Sequence, residues 1–235
     1  MKIIVPLAGP DFDRADGSVK AELAIDGQAL LRKALESRIW WRRGDACDAE
    51  IVFILRQTSQ SLRFCRDVLS SWYPQASTVL LSSCTAGAAF SALAGLSLVA
   101  DSDEPICVDL ADILYASECD PCGDFIRRPD LGGVALAFSS DKPVYSYLAV
   151  GQDGQVSLAA EKKVISRHAS AGTYWFRNPS VLLRAIVHSL DNRAEQTHAG
   201  RFFVCPLFNG VIANGFAVSI SRVNDVIDIK ESLEG

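Results

Sequence analysis

Apolar residues in the first half of the chain fall into short continuous runs, rich in aliphatic and β-branched side chains. Such runs are typical of strands that are covered on both faces. They occupy residues 2–7, 51–55, 77–81 and 105–109. Apolar positions at helical spacing lie between them, in residues 28–37, 58–71 and 85–100. Strands that alternate with helices predict a parallel sheet with crossover helices, and therefore an α/β fold.

The pattern changes after residue 130. Short strands are predicted there, with turn residues between them, at residues 133–138, 145–150, 156–160, 172–176, 216–220 and 226–229. Helices are predicted at residues 179–190 and 202–214. The Asp153-Gly154 pair is typical of a hairpin turn. We predict one domain over residues 1–235. The half 1–130 would bind one ligand, and the mixed half 131–235 would hold a second one.

Composition limits the classes of function. The 235 residues are 49% hydrophobic and 22% charged, as in an ordinary globular domain. The net charge of −5 argues against a nucleic acid duplex as partner, because such binders usually have a basic face. No apolar run approaches the roughly 18 residues of a membrane span, and the opening run is too short for a signal-peptide core. We therefore expect a cytoplasmic protein that binds neither nucleic acid nor membrane.

The chain has seven cysteines, an odd and scattered set that is more typical of reduced thiols than of a disulfide framework. Cys119 and Cys122 have the C-x-x-C spacing of zinc and redox sites. A zinc site needs a second pair of ligands, and the sequence has no other close Cys or His pair. Two thiols in a polar loop are the preferred interpretation.

The first strand runs into Leu7, Ala8 and Gly9 and then into a polar loop that ends before Lys20. A strand followed by such a loop can bring backbone N–H groups against phosphates, and a lysine beyond it adds a positive charge. One glycine and one lysine are a weak signal, since many α/β proteins begin with a strand and a loop.

A second small-residue segment begins a predicted helix. Thr85 is a good N-cap, and Gly87 and Ala88 would allow a base or a ribose to approach the backbone closely. The alternative is a tightly packed helix with no ligand.

Acidic residues mark the ends of two strands. Asp109 and Asp112 follow the strand at 105–109, where one or two carboxylates with substrate phosphates would suit Mg²⁺. Asp109 would either support the metal site indirectly or be a turn residue. Asp228 lies in the last predicted strand and Asp225 directly precedes it, and a surface turn explains them equally well.

Two segments resemble the sugar-phosphate nucleotidyltransferases. Residues 20–31, K-A-E-L-A-I-D-G-Q-A-L-L, are similar to the stretch after that family's glycine-rich loop, with the same spacing from the lysine to the Asp-Gly turn. Residues 161–176 repeat the family's Glu-Lys followed by Gly-x-Tyr-x-Phe. The opening loop departs from the family, because Asp11 stands where a second glycine is usual and Val19 where a proline precedes the lysine.

The resemblance implies a Rossmann-like, GT-A-like fold: a mixed, mostly parallel central sheet flanked by helices in an α/β/α sandwich. It implies transfer of a nucleotidyl group from a nucleoside triphosphate to a sugar 1-phosphate or another small phosphate. Pyrophosphate would be released, in the service of polysaccharide or glycoconjugate synthesis. Residues 1–130 would bind the nucleotide, and residues 131–235 the acceptor.

The resemblance also implies roles for single residues. Lys20 and Arg14 would steady the triphosphate. The nucleotide would lie against Leu7, Ala8, Gly9, Thr85, Gly87 and Ala88. The acceptor would be held by Glu161, Lys162, Gly172 and Tyr174, with Lys162 on its phosphate. Mg²⁺ would be held by Asp112 and Asp228, with Asp225 as the alternative to Asp228.

Two other functions stay open. A glycosyltransferase with the same nucleotide-binding architecture would normally carry Asp-x-Asp after the fourth strand, whereas Asp109 and Asp112 are three residues apart. A non-catalytic homologue that binds a nucleotide or a regulatory partner is supported by the altered opening loop.

Overall fold

The structure is a computed structural model that describes residues 1–229, so residues 230–235 of the predicted domain lie outside the described residues. The strands are β1 Lys2–Pro6, β2 Ala24–Ile25, β3 Gln28–Ala29, β4 Ile51–Arg56, β5 Ser77–Leu81, β6 Ile106–Asp109, β7 Ile113–Ala116, β8 Leu131–Ser139, β9 Ser146–Val150, β10 Val156–Glu161, β11 His168–Phe176, β12 Thr197–His198, β13 Arg201–Phe202, β14 Ala217–Arg222 and β15 Asn224–Asp228.

The helices lie between these strands. They are α1 Leu30–Ser37, α2 Ile39–Arg42, α3 Ser59–Phe64, α4 Ser70–Trp72, α5 Ala88–Leu96, α6 Pro121–Arg127, α7 Pro179–Asp191, α8 Arg193–Gln196 and α9 Leu207–Ala213. A π-helical turn, Cys65–Leu69, joins α3 to α4, and short 3-10 turns occupy Lys20–Glu22 and Asp48–Glu50.

One sheet of nine strands organises residues 1–229. Its spatial order is β10-β9-β11-β6-β1-β4-β5, and β8 pairs with both β11 and β14. The pairs of β1 with β4 and β6, of β4 with β5, and of β8 with β14 are parallel, whereas β11 runs antiparallel to its neighbours. The predicted mixed, mostly parallel sheet is confirmed, and it is continuous across residue 130.

Alternating side chains place two apolar cores on opposite faces of the sheet. Ile3 and Val5 of β1 face one core, while Ile4 faces the other. The first core is covered by α1, α3 and α6, and the second by α5, α7 and α9. Both faces of the central strands are therefore buried, which explains their continuous apolar sequence and confirms the α/β/α layers.

Several predicted boundaries differ in the structure. The prediction of a single helix over residues 202–214 is wrong. Residues 201–202 form a strand that pairs with β12, and α9 begins only at Leu207. The predicted cap Thr58 is confirmed, since its side chain accepts a hydrogen bond from the Ser61 N–H. The hairpin turn between β9 and β10 is also confirmed, with Gly154 at φ 78°. None of the described helices is long and apolar enough to cross a membrane.

Candidate functional site

A cleft of about 310 Å³ opens at the carboxyl ends of β1 and β6, a size typical of small-molecule sites. Residues from both halves of the chain line it. The predicted site residues on its wall are Leu7, Ala8, Gly9, Lys20, Thr85, Gly87, Ala88, Asp112, Glu161, Lys162, Gly172 and Tyr174. Arg14 and Asp228 are not among the lining residues.

The opening loop folds back so that Lys20 returns to the end of β1. The Phe12 N–H donates to the Gly9 carbonyl at 3.2 Å, and the Lys20 N–H donates to the Phe12 carbonyl at 2.8 Å. The Lys20 ammonium lies 3.2 Å from an oxygen of Asp11, which also lines the cleft. Lys20 is therefore within the cleft, but its charge is partly neutralised by a residue of the same loop.

Asp13 anchors the same loop to the neighbouring strand and helix. Its carboxylate accepts hydrogen bonds from Arg56 at 2.6 Å, from Thr58 at 3.0 Å and from Ser61 at 3.1 Å. Arg14 points elsewhere, and its guanidinium donates to Asp16 at 3.3 Å. The position of Arg14 therefore does not support the predicted contact with a triphosphate.

The start of α5 forms the wall of the cleft that was predicted to contact the nucleotide. This helix begins at Ala88 with Gly87 as its N-cap, so the predicted cap Thr85 is wrong. The Thr85 hydroxyl donates to the Gly87 carbonyl at 2.9 Å and holds the turn that precedes the helix. Gly87 has φ 120°, and a Cβ there would overlap the backbone oxygen of Phe202. A glycine is required because the strand β13 passes directly over this turn.

The loop after β6 presents Asp112 to the cleft. Ala111 adopts the left-handed conformation at φ 53°, and its N–H donates to Asp109 at 2.9 Å. A Cβ on Gly172 would lie 3.2 Å from an Asp112 oxygen, so Asp112 lies beside this glycine of β11. Asp109 is fully buried and ion-paired with Arg38, which gives it a structural role behind the cleft.

The sheet pairing places the backbone of a second acidic residue beside the loop that carries Asp112. In the antiparallel pair β15–β7, Asp228 stands opposite Ile113, the residue next to Asp112. Two carboxylates with substrate phosphates fit Mg²⁺, which keeps few protein ligands. Asp225 is exposed, at φ 52° in an irregular part of β15, and it fits less well. No group of three or more Cys, His, Asp or Glu that could hold a metal occurs within residues 1–229.

The wall that was predicted to contact the acceptor comes from β9, β10 and β11. Ser146 donates its hydroxyl proton to Glu161, which orients that carboxylate. Lys162 adopts φ 50°, and its N–H donates to the Tyr145 carbonyl at 3.0 Å. Burial raises the pKa of the Tyr174 hydroxyl well above its usual value, so this group stays protonated and can donate a hydrogen bond. A left-handed lysine beside a cleft is a strained feature of the kind found at ligand sites.

Solved structures share this architecture over the whole chain, although no family model and no curated protein matches the sequence. A nucleoside-diphosphate-sugar pyrophosphorylase from Vibrio cholerae RC9 is 20% identical, with a TM-score of 0.80 and 100% of both chains covered. A UDP-glucose pyrophosphorylase complexed with UDP-glucose is 14% identical, with a TM-score of 0.70 and 99% and 96% covered. An inositol-1-phosphate CTP transferase from T. maritima is 13% identical, with a TM-score of 0.66 and 96% and 86% covered.

The chain has the Rossmann-like nucleotidyltransferase fold. The sequence resemblance predicted this fold, and the shared architecture confirms it. In this nucleotidyltransferase fold the cleft lies at the carboxyl ends of the parallel strands, where open α/β sheets bind ligands.

Some residues that line the cleft of this nucleotidyltransferase fold were not predicted from the sequence. They are Arg201, which lies in β13, and Phe203 and Val204, which directly follow that strand. The signal was present in Ala199-Gly200, which both adopt positive φ in the structure and mark a tight turn. The apolar segment that follows favoured a helix and concealed it.

The C-x-x-C pair lies at the start of α6, away from the cleft of the nucleotidyltransferase fold. Cys119 and Cys122 are both free thiols and half-buried. Burial raises the pKa of each to about 11, so both are protonated at neutral pH. This environment is consistent with inert structural thiols.

Proposed function

We propose that this protein transfers a nucleotidyl group from a nucleoside triphosphate to a small phosphorylated acceptor, with a sugar 1-phosphate as the first candidate. The observation that carries the proposal is the single cleft in which Gly9, Lys20 and Asp112 meet Glu161 and Lys162. The proteins with the same architecture support it, since their names describe pyrophosphorylases and a CTP transferase.

In the proposed reaction an oxygen of the acceptor phosphate attacks the α-phosphorus of the triphosphate. The bond from that phosphorus to the bridging oxygen breaks, and pyrophosphate leaves with the electron pair. Such chemistry depends on positioning and on neutralisation of charge rather than on a protein nucleophile. The residues of the cleft are suited to these two tasks.

Each wall has its own part in the proposal. Lys20 neutralises the triphosphate, and Lys162 neutralises the acceptor phosphate. Glu161, oriented by Ser146, accepts hydrogen bonds from acceptor hydroxyl groups. The buried hydroxyl of Tyr174 donates to the acceptor from the floor of the cleft. Residues 1–130 thus bind the nucleotide, while residues 131–235 bind the acceptor.

Mg²⁺ is the proposed metal, held by Asp112 and Asp228. Bound there, the ion would offset the negative charge of the phosphate groups. The proposed place of action is the cytoplasm, in agreement with seven free cysteines, and the proposed product serves polysaccharide or glycoconjugate synthesis.

The test is calorimetric titration with ATP, CTP, GTP, UTP and dTTP in the presence of Mg²⁺, followed by an assay for pyrophosphate with sugar 1-phosphates. We expect one triphosphate to bind, and Asp112→Ala to weaken that binding by tenfold or more (about 1.4 kcal/mol). Asp101→Ala, which removes an exposed carboxylate outside the cleft, is the matched control.

Three results would contradict the proposal. Unchanged triphosphate binding in Asp112→Ala would show that Asp112 does not hold the metal. Absence of binding for every triphosphate would favour the non-catalytic homologue. Consumption of a nucleoside-diphosphate sugar without pyrophosphate chemistry would favour a glycosyltransferase.

A further inference from the structure

The carboxylate of Asp11 lies in the cleft between Gly9 and the Lys20 ammonium. One of its oxygens is 3.2 Å from the Lys20 ammonium. Its other oxygen is 2.8 Å from the position that a Cβ on Gly9 would take, so the carboxylate covers the open face of this glycine. All three residues line the cleft.

The two features that Asp11 contacts are those that a phosphate oxygen would use. Gly9 leaves its backbone accessible, and Lys20 supplies a positive charge. We propose that Asp11 is a built-in anion of the triphosphate site and that it makes the site select metal-bound nucleotides over free ones. This inference rests on the proposed function.

The loop holds Asp11 at this position through its neighbours. Asp13 is bonded to Arg56, Thr58 and Ser61, which anchors the backbone two residues away. The Phe12 side chain is buried and packs on Phe64. The backbone at Asp11 therefore cannot move far from the cleft, and a ligand must displace the side chain or neutralise it.

The ion pair with Lys20 holds the Asp11 side chain only weakly, whereas the backbone keeps its charge close to the cleft. Asp11 is 64% exposed and Lys20 is 18% exposed, and an ion pair with one partner so exposed is weak. After displacement, the carboxylate still lies within a few ångströms of the triphosphate and repels it. A divalent cation on the phosphates lowers their charge and can accept a carboxylate oxygen. Metal-bound nucleotide is therefore the favoured ligand.

The experiment compares wild-type protein and Asp11→Asn by titration with the preferred triphosphate, once with Mg²⁺ and once with EDTA. Asparagine keeps the size of the side chain and removes its charge. We expect Asp11→Asn to bind free triphosphate about tenfold more tightly than wild type, with a gain of less than about threefold when Mg²⁺ is present. Asp101→Asn should change neither affinity. Circular dichroism melting checks that each variant is folded.

Each outcome decides between the two proposals. The inference is wrong if wild-type protein binds the triphosphate and the ratio of the affinity in Mg²⁺ to the affinity in EDTA is the same for Asp11→Asn as for wild type. The proposed function would then still stand. If neither protein binds any triphosphate with Mg²⁺, both are wrong. A loss of affinity in Asp11→Asn under both conditions would make Asp11 a supporting residue and overturn the inference.

Discussion

Arg38 and Asp109 form a fully buried, two-pronged ion pair beneath the cleft. The Arg38 Nε donates to one carboxylate oxygen at 2.8 Å, and Nη2 donates to the other at 3.0 Å. The same guanidinium donates to the Ile113 carbonyl at 3.1 Å, and it lies 3.9 Å from the ring centre of Tyr115. Burial alone would lower the pKa of Arg38, but the Asp109 carboxylate together with Tyr115 and Cys107 more than offsets this effect, so the pKa is raised. The pair therefore joins the segment after α1 to the loop that carries Asp112.

Removal of one partner should destabilise the protein strongly. Asp109→Ala leaves the charge of Arg38 buried without its partner, so we expect the free energy of unfolding to fall by about 3–5 kcal/mol. Urea denaturation followed by circular dichroism measures the change. The double variant Arg38→Met with Asp109→Leu should recover most of the loss, because it leaves no buried charge.

An exposed pair provides the control. Arg43 and Glu118 are 3.2 Å apart and both well exposed, so Glu118→Ala should cost less than about 1 kcal/mol. Equal losses for Asp109→Ala and Glu118→Ala would show that the buried pair has no special role.

Gly87 should not tolerate a side chain. Gly87→Ala combines the strain of φ 120° with overlap on the Phe202 backbone, and we expect a loss of about 3 kcal/mol or more in the free energy of unfolding. Gly154→Ala is the matched control, because φ is also positive there but the space is open. It should cost only about 1–2 kcal/mol. Similar losses at the two positions would contradict the close approach of β13.

Asp228 should matter to binding only when metal is present. Asp228→Asn is expected to weaken Mg²⁺-dependent binding of the triphosphate by about tenfold and to leave binding in EDTA unchanged. Asp225→Asn, on the same strand and exposed, should change neither value. If Asp225→Asn has the larger effect, the second metal ligand is Asp225. Titration of Mn²⁺ followed by electron paramagnetic resonance gives an independent measure of metal affinity.

The C-x-x-C thiols should be unreactive at pH 8. With pKa values of about 11, Cys119 and Cys122 hold only about one thiolate in a thousand at this pH. We expect iodoacetamide to modify them at least about tenfold more slowly than the exposed Cys84, and their rates to rise as the pH approaches 11. Peptide mass spectrometry follows each site. Modification as fast as that of Cys84 at pH 8 would point to a reactive pair.

Local pattern was sufficient for much of the fold. The strands β1, β4, β5 and β6, the helices α1, α3 and α5 and the turn at Gly154 were predicted, because apolar periodicity and turn chemistry depend on neighbouring residues. The buried strand β7 and the helix α6 were not predicted. The hairpin that precedes α9 was not predicted, since its apolar residues suit a helix equally well. Its strand is stabilised by contacts with Ala86 and Gly87, more than a hundred residues away.

The site shows the same division. The sequence by itself determined the order of the strands along the chain and which chemical groups follow them, including Gly9, Lys20 and Asp112. Only the tertiary structure decided that Asp109 forms an ion pair with Arg38 and that Asp228 stands beside the Asp112 loop. The physical reason is that strand order, register and side-chain direction arise from contacts between distant segments, and no local pattern encodes them.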